Sequence, residues 1–215
     1  MFDFVLDPAY QLIYAVSAHT GPLLAIVAFT VAVRLLLLPL SIRQSRSVKG
    51  RLRLKPQVDR LRARHSRDPA RLVREINDLY AEEGTSQFAG IGPAIAQAPF
   101  LTILYRLFVS ATIAGHANLL LAQGVLGVPL GEHLAAVVAN PPALAVYLVL
   151  LALIAVVAWQ ASRLMGRMDA SSGRLVRLMP YGTVAMAALL PFAAGIYLLI
   201  STTWTTVERA VLYAA

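Results

Sequence analysis

Residues 26–41 read IVAFTVAVRLLLLPLS, an apolar run with a single cation, Arg34, inside it. Pro22 lies twelve residues before Arg34 and Arg43 lies nine residues after it, which is about 18 Å and about 13 Å at the rise of an α-helix. The hydrocarbon core of a bilayer is about 30 Å thick. The run therefore predicts a transmembrane helix with a charge near its middle.

A charge at this depth needs a polar environment, because a central Arg costs about 2.5 to 3.5 kcal/mol on insertion scales. Of the eleven acidic residues, only Glu208 falls within an apolar stretch, at its last turn. Two interpretations stay open. Arg34 snorkels to the cytoplasmic headgroups, or it lies in a solvated polar cavity, which we favour because ionised groups inside membranes are usually functional.

The composition supports a membrane protein. Hydrophobic residues make up 58% of the 215 residues, charged residues make up 14%, and the mean hydropathy is +0.67, so the chain is predicted to be an all-α polytopic membrane protein. The absence of cysteine excludes disulfides, thiolate metal sites and a cysteine-linked lipid anchor. Residues 1–21 lack Lys and Arg, so we expect the first span to be retained rather than cleaved as a signal peptide.

The net charge of +8 is unevenly distributed along the chain. Twelve of the nineteen basic residues lie between Arg43 and Arg74, whereas residues 1–21 and 113–142 contain none. Basic loops stay on the cytoplasmic side of a membrane. The pattern thus predicts a plasma-membrane protein with its N-terminus outside and residues 43–88 in the cytoplasm.

Residues 43–88 are predicted to form a cytoplasmic hairpin of two amphipathic helices. Asp68 is a good N-cap and Pro69 a good first helical residue for the second helix. This segment has twelve basic and six acidic residues. It could therefore bind anionic lipid headgroups or ribosomal RNA, or have no specific partner, and the sequence leaves these alternatives open. The two apolar stripes are Leu54, Val58 and Leu61, and Leu72, Val73, Ile76, Leu79 and Tyr80.

The other segments follow from apolar runs and their breaks. The stretch 178–207 is long for one span and short for two, and Pro191 and Gly195 favour two short helices. Five hydroxyl residues surround Trp204 and suit a wet surface, although hydroxyls also bond back to their own helix. The predicted segments are an outer interfacial helix, interrupted at Pro8, at 1–21, spans at 22–42, 91–112, 143–161, 178–192 and 194–212, an external loop at 113–142 and a cytoplasmic loop at 162–177.

The order of these parts resembles the YidC-type membrane protein insertases, with their Oxa and Alb relatives. The matching features are Arg34 followed by LLLLPL, the basic hairpin, the segment GPAIAQAPFLTILYRLF, and the closing PFAAGIYLLISTTWTTVERAVLY. The resemblance implies five spans around a polar groove open to the cytoplasm. It also implies that Arg34 and Gln97 line this groove with Ser201, Thr202 and Thr205, and we add Thr30 and Trp204 as candidates.

The resemblance implies nascent membrane proteins as substrates, with the ribosome and the Sec translocon as further partners, and no cofactor, metal or DNA. Two other classes of membrane protein are alternatives. A small transporter or channel subunit usually shows internal repeats, and none is evident here. An intramembrane enzyme is disfavoured because the spans hold no Asp and no HExxH or GxSxG motif. The four histidines, His19, His65, His116 and His133, all lie outside the deep parts of spans.

Overall fold

A computed structural model describes residues 3–65, 68–82, 106–113, 115–168 and 173–214. Most of the predicted span 91–112, including Gln97, lies outside these residues. The described residues form two compact units: the first lies within Met1–Leu36 and Pro99–Ala210, and the second within Leu37–Ala98 and Val211–Ala215. Two described segments, Pro22–Arg46 and Pro141–Arg167, are long and apolar enough to cross a membrane.

The first unit begins with helix α1 (Asp3–Thr20). The expectation that Pro8 interrupts this helix is wrong. Pro8 lies near the helix start, where its missing N–H removes one backbone hydrogen bond and the helix continues. Gly21, with φ of +85°, then separates α1 from α2 (Pro22–Arg64), a conformation that glycine adopts without the steric cost of a Cβ.

The segment predicted as an external loop contains short β-hairpins, which the all-α prediction did not include. Strands β1 (Thr112–Ile113) and β2 (His116–Ala117) pair antiparallel, as do β3 (Gly124–Val125) and β4 (Val128–Pro129). A single helical turn, α4 (Leu134–Val137), follows. The hairpins pack on α1, since the Leu119 N–H donates to the Tyr10 hydroxyl (3.1 Å) and Gln123 Nε2 donates to Ser17 Oγ (3.0 Å).

Four further helices complete this unit. They are α5 (Pro141–Met168), α6 (Arg174–Leu178), α7 (Gly182–Leu189) and α8 (Phe192–Ala214), with a 3-10 turn at Met179–Tyr181. The chain leaves helical geometry at Leu190 and Pro191. Two backbone N–H groups at the start of α8 donate to carbonyls of the predicted external loop, from Phe192 to Glu132 (2.8 Å) and from Ala193 to Leu130 (2.9 Å). This loop therefore caps α8.

The hydrophobic core of this unit lies between α5 and α8 along one half of their length. On α5 the buried positions run from Ala143 through Tyr147 and Leu150 to Ile154, and on α8 they begin at Phe192. A Cβ built on Gly195 would lie 2.8 Å from Leu150 Cδ2, so the two helices approach closely here. The packed half is the one next to the predicted external loop.

The second unit contains the predicted hairpin, made by the end of α2 and by α3 (Pro69–Glu82). Its core holds Leu54, Val58, Ile76 and Tyr80. The prediction that Val73 belongs to the apolar stripe is wrong, because Val73 is 53% exposed. Helix α2 includes both the predicted first span and the first hairpin helix, and it contains Pro39 and Pro56.

Polar contacts join the two hairpin helices. His65 Nε2 lies 2.8 Å from Glu75 Oε2, and Arg71 Nε donates to Glu75 Oε1 at 2.9 Å. The hydrogen bond from Arg71, together with the charges of Arg71 and His65, lowers the pKa of Glu75. Glu75 therefore stays ionised at neutral pH, accepts the hydrogen bond of Arg71 within α3 and lies beside the His65 ring at the end of α2.

Changing Asp68 to alanine is expected to loosen the start of α3. The Asp68 carboxylate accepts the Arg71 backbone N–H at 3.0 Å, which is N-cap geometry, and loss of such a cap costs about 1 kcal/mol. Hydrogen exchange in the first turn of α3 should accelerate about five-fold. Asp78→Ala, an exposed change on the same helix, is the control, and equal exchange in both variants would contradict the cap.

Candidate functional site

A cavity of about 270 Å³ lies in the first unit, beyond the packed half of α5 and α8. We call it the Arg34 cavity. Helix α2 contributes Arg34, α8 contributes hydroxyls and a second cation, and α5 contributes a largely apolar wall. Its lining residues are Arg34, Val157, Ala158, Ala161, Met165, Met179, Pro180, Thr183, Ser201, Thr202, Thr205, Thr206 and Arg209.

Arg34 is held by neutral oxygen atoms. Its Nη2 donates to the Ser201 carbonyl oxygen (3.2 Å) and to the Ser201 hydroxyl. Among the described residues no carboxylate lies within ion-pair distance of Arg34, although Glu208 on α8 is near enough to interact with it electrostatically. The Nε and Nη1 groups have no described hydrogen-bond acceptor. A guanidinium has five N–H donors, so at least three have no described protein partner, and Arg34 lines the cavity. The site can therefore receive an acceptor group, above all an anion.

The hydroxyls of α8 are bonded within their own helix, which was the alternative left open by the sequence. Thr202 donates to the Leu198 carbonyl (2.6 Å), Thr205 to the Ser201 carbonyl (2.9 Å) and Thr206 to the Thr202 carbonyl (2.8 Å). All three nevertheless line the cavity. With their hydrogens engaged, their oxygens remain acceptors, so α8 presents a row of acceptors beside the arginine donors.

The predicted groove residues differ in where they lie. Arg34, Ser201, Thr202 and Thr205 meet at the Arg34 cavity, as described above. Thr30 is fully buried and donates to the Ile26 carbonyl at 2.7 Å, and it is not among the lining residues. Trp204 is also not among them, and its Nε1 donates to Glu208 Oε2 at 3.0 Å. Gln97 lies outside the described residues.

Sequence reasoning missed several residues that line the cavity. Arg209 follows Thr205 by four positions and Ser201 by eight, a helical spacing that places all three on one face of α8. That spacing was a usable signal. Met165 and Met179 come from separate elements, and no local pattern brings them together. Methionine is flexible and polarisable, which suits a wall that contacts varied apolar surfaces.

The sequence matches a known protein family over most of its length. A sequence model of the family described as 60Kd inner membrane protein matches residues 15–215. The chain belongs to this family. The family is that of the YidC, Oxa and Alb proteins, as the sequence resemblance predicted. This prediction is confirmed.

Curated relatives in this family are named membrane protein insertases. The YidC protein of Aquifex aeolicus is 29% identical over 106 residues, that of Clostridium perfringens 33% over 100 residues, and YidC 1 of Halalkalibacterium halodurans 31% over 122 residues. These matches cover 49%, 46% and 54% of this chain. They cover 21%, 41% and 48% of the relatives, so less than half of each relative is matched.

Proposed function

We propose that this chain is a membrane protein insertase that takes nascent membrane proteins into a hydrated intramembrane cavity and releases them sideways into the lipid. The observation that carries the proposal is the Arg34 cavity, in which neutral oxygens bind the cation and no described carboxylate lies within ion-pair distance of it. The names of the curated relatives support the same activity. The transporter alternative has no such support.

In this mechanism Arg34 attracts the acidic or polar external segment of a substrate. A carboxylate 4 Å from a guanidinium gains about 1 kcal/mol in bulk water and about 4 kcal/mol at an effective dielectric constant near 20. The attraction holds a segment briefly and still allows its release. Arg209, on α8, adds a second positive charge to the same cavity. An acidic segment that enters the cavity therefore meets both cations.

The packing of the first unit supports insertion across half of the bilayer. One face of α5, from Ala143 to Ile154, is buried in the core, and the cavity begins at Val157. Basic residues follow on α5 at Arg163 and Arg167, so the cavity half faces the cytoplasm by the positive-inside rule. A hydrophilic segment in the cavity then has only the packed outer half left to cross.

The remaining parts of the proposal concern topology and partners. We place the chain in the plasma membrane with five spans, an external N-terminus and a cytoplasmic C-terminus. The Arg34 cavity is the groove, open to the cytoplasm and to lipid. Nascent membrane proteins are the substrates, the ribosome and the Sec translocon are further partners, and the basic hairpin contacts anionic headgroups. Support comes from the charge distribution and the family.

A photocrosslinking experiment tests the proposal. A photoreactive amino acid at Met165, in the cavity wall, should crosslink to a ribosome-stalled nascent membrane protein. The control position is Leu126, which is 77% exposed at the tip of the β3–β4 hairpin and should give no product. A stalled soluble protein should crosslink from neither position. Equal crosslinking from both positions, or none from Met165, would overturn the proposal.

A further inference from the structure

A second cavity, of about 290 Å³, lies between α5 and α8. Its lining residues are Trp159, Gln160, Arg163, Leu164, Arg167, Thr206 and Ala210, and we call it the Arg163 notch. We propose that the Arg163 notch binds the headgroup of one anionic glycerophospholipid, with the phosphate on the two arginines. This binding needs no nascent chain, so it stands apart from the proposed insertase activity.

The depth of the notch fits a lipid headgroup. Trp159 lies eighteen residues after Pro141, the start of α5, and Arg163 lies twenty-two residues after it, which is about 27 Å and about 33 Å of helix. The hydrocarbon core is about 30 Å thick. Trp159 thus reaches the edge of the hydrocarbon, where tryptophan is enriched, and Arg163 reaches the level of the phosphates.

The charge of the notch fits an anion. Arg163 and Arg167 lie one helical turn apart, and no acidic side chain is among the lining residues. Arg163 is held in place, because its Cζ lies 3.8 Å from the centroid of the Trp159 ring, a cation–π geometry. On α8, Glu208 accepts from Trp204 instead. The arginines therefore present a partly ordered pair of donors to a phosphate.

Thr206 narrows the class of headgroup. Its hydroxyl hydrogen is donated to the Thr202 carbonyl at 2.8 Å, so Thr206, which lines both the notch and the Arg34 cavity, has only its oxygen left, as an acceptor. A headgroup that carries hydroxyls beyond its phosphate, such as phosphatidylglycerol, can donate to this oxygen. A choline headgroup has no such donor and carries a positive charge beside two arginines. The notch is thus suited to phosphatidylglycerol over phosphatidylcholine.

Tryptophan quenching tests the proposal. The chain has two tryptophans, so Trp204→Phe leaves Trp159 as the only one, directly in the notch. The purified protein is reconstituted in phosphatidylcholine vesicles that contain a small fraction of phosphatidylglycerol brominated on its acyl chains near the glycerol. Brominated phosphatidylglycerol should quench the fluorescence of Trp159 to the same extent as brominated phosphatidylcholine at a mole fraction about five-fold or more lower. Each surface arginine favours an anionic lipid by about that factor.

Three variants separate a site from general attraction to a basic protein. Arg163→Gln with Arg167→Gln should abolish the preference. Arg60→Gln with Arg64→Gln removes the same charge from exposed hairpin positions and should keep it. Arg163→Lys with Arg167→Lys keeps the charge but loses the planar fork that stacks on Trp159, and should weaken it. Equal losses from the notch and hairpin pairs, or no preference in the parent protein, would overturn the proposal.

Discussion

Replacing Arg34 with alanine is expected to reduce the insertion of a small membrane protein with an acidic external segment by about ten-fold or more. The attraction of about 4 kcal/mol between a carboxylate and Arg34 in the cavity disappears, and each 1.4 kcal/mol corresponds to a factor of ten. Desolvation of the two charges is expected to offset most of that attraction, so the expected effect is about ten-fold rather than the full value. Protection of the external segment from added protease measures the inserted fraction.

Matched variants and substrates separate this role of Arg34 from a loss of folding. Arg34→Lys keeps the charge but has fewer donors in a different geometry, so insertion should fall to an intermediate level. Arg64→Ala removes an exposed charge from the hairpin and should have little effect. A substrate whose external carboxylates are changed to amides should depend much less on Arg34. Equal dependence of acidic and neutral substrates on Arg34 would contradict the electrostatic mechanism.

Local patterns predicted the hairpin and the closing helices because their signals lie within a few residues of one another. Asp68 caps α3 through the Arg71 N–H three residues later, and the helix break falls at Leu190 and Pro191. Proline was a weaker guide elsewhere. Pro8, Pro39 and Pro56 all lie inside helices, because a helix can tolerate one missing hydrogen bond when packing or helical neighbours support it.

The candidate site was only partly predictable. Arg34 stood out because a charge in an apolar run is costly, but its partner Ser201 lies 167 residues away, and no periodicity links the two. The hydroxyls of α8 pointed to a polar surface, yet Thr30, also a hydroxyl residue in a span, is buried and bonded to its own helix. Side-chain type alone does not say which face of a helix packs and which lines a cavity.

Replacing Tyr147 with alanine is expected to give a large loss of stability. Tyr147 is fully buried on α5, its hydroxyl donates to the carbonyls of Leu190 (2.6 Å) and Ala187 (3.2 Å), and its ring centroid lies 5.3 Å from that of Phe192. The side chain thus satisfies carbonyls that α7 leaves unpaired at its end and fills the space beside α8. Loss of a large buried aromatic costs about 3 to 5 kcal/mol, measured by reversible unfolding in mixed detergent micelles.

Two variants divide this loss into its parts. Tyr147→Phe keeps the ring and removes only the hydroxyl, so it should cost about 1 to 3 kcal/mol for a buried carbonyl left without a partner. Leu148→Ala, at the next position and 50% exposed, should change stability by about 0.5 kcal/mol or less. If Tyr147→Phe were as stable as the parent protein, the hydroxyl would not hold the α7–α8 turn. Because this turn sets where α8 begins, its loss should also displace Ser201 and weaken the hold on Arg34.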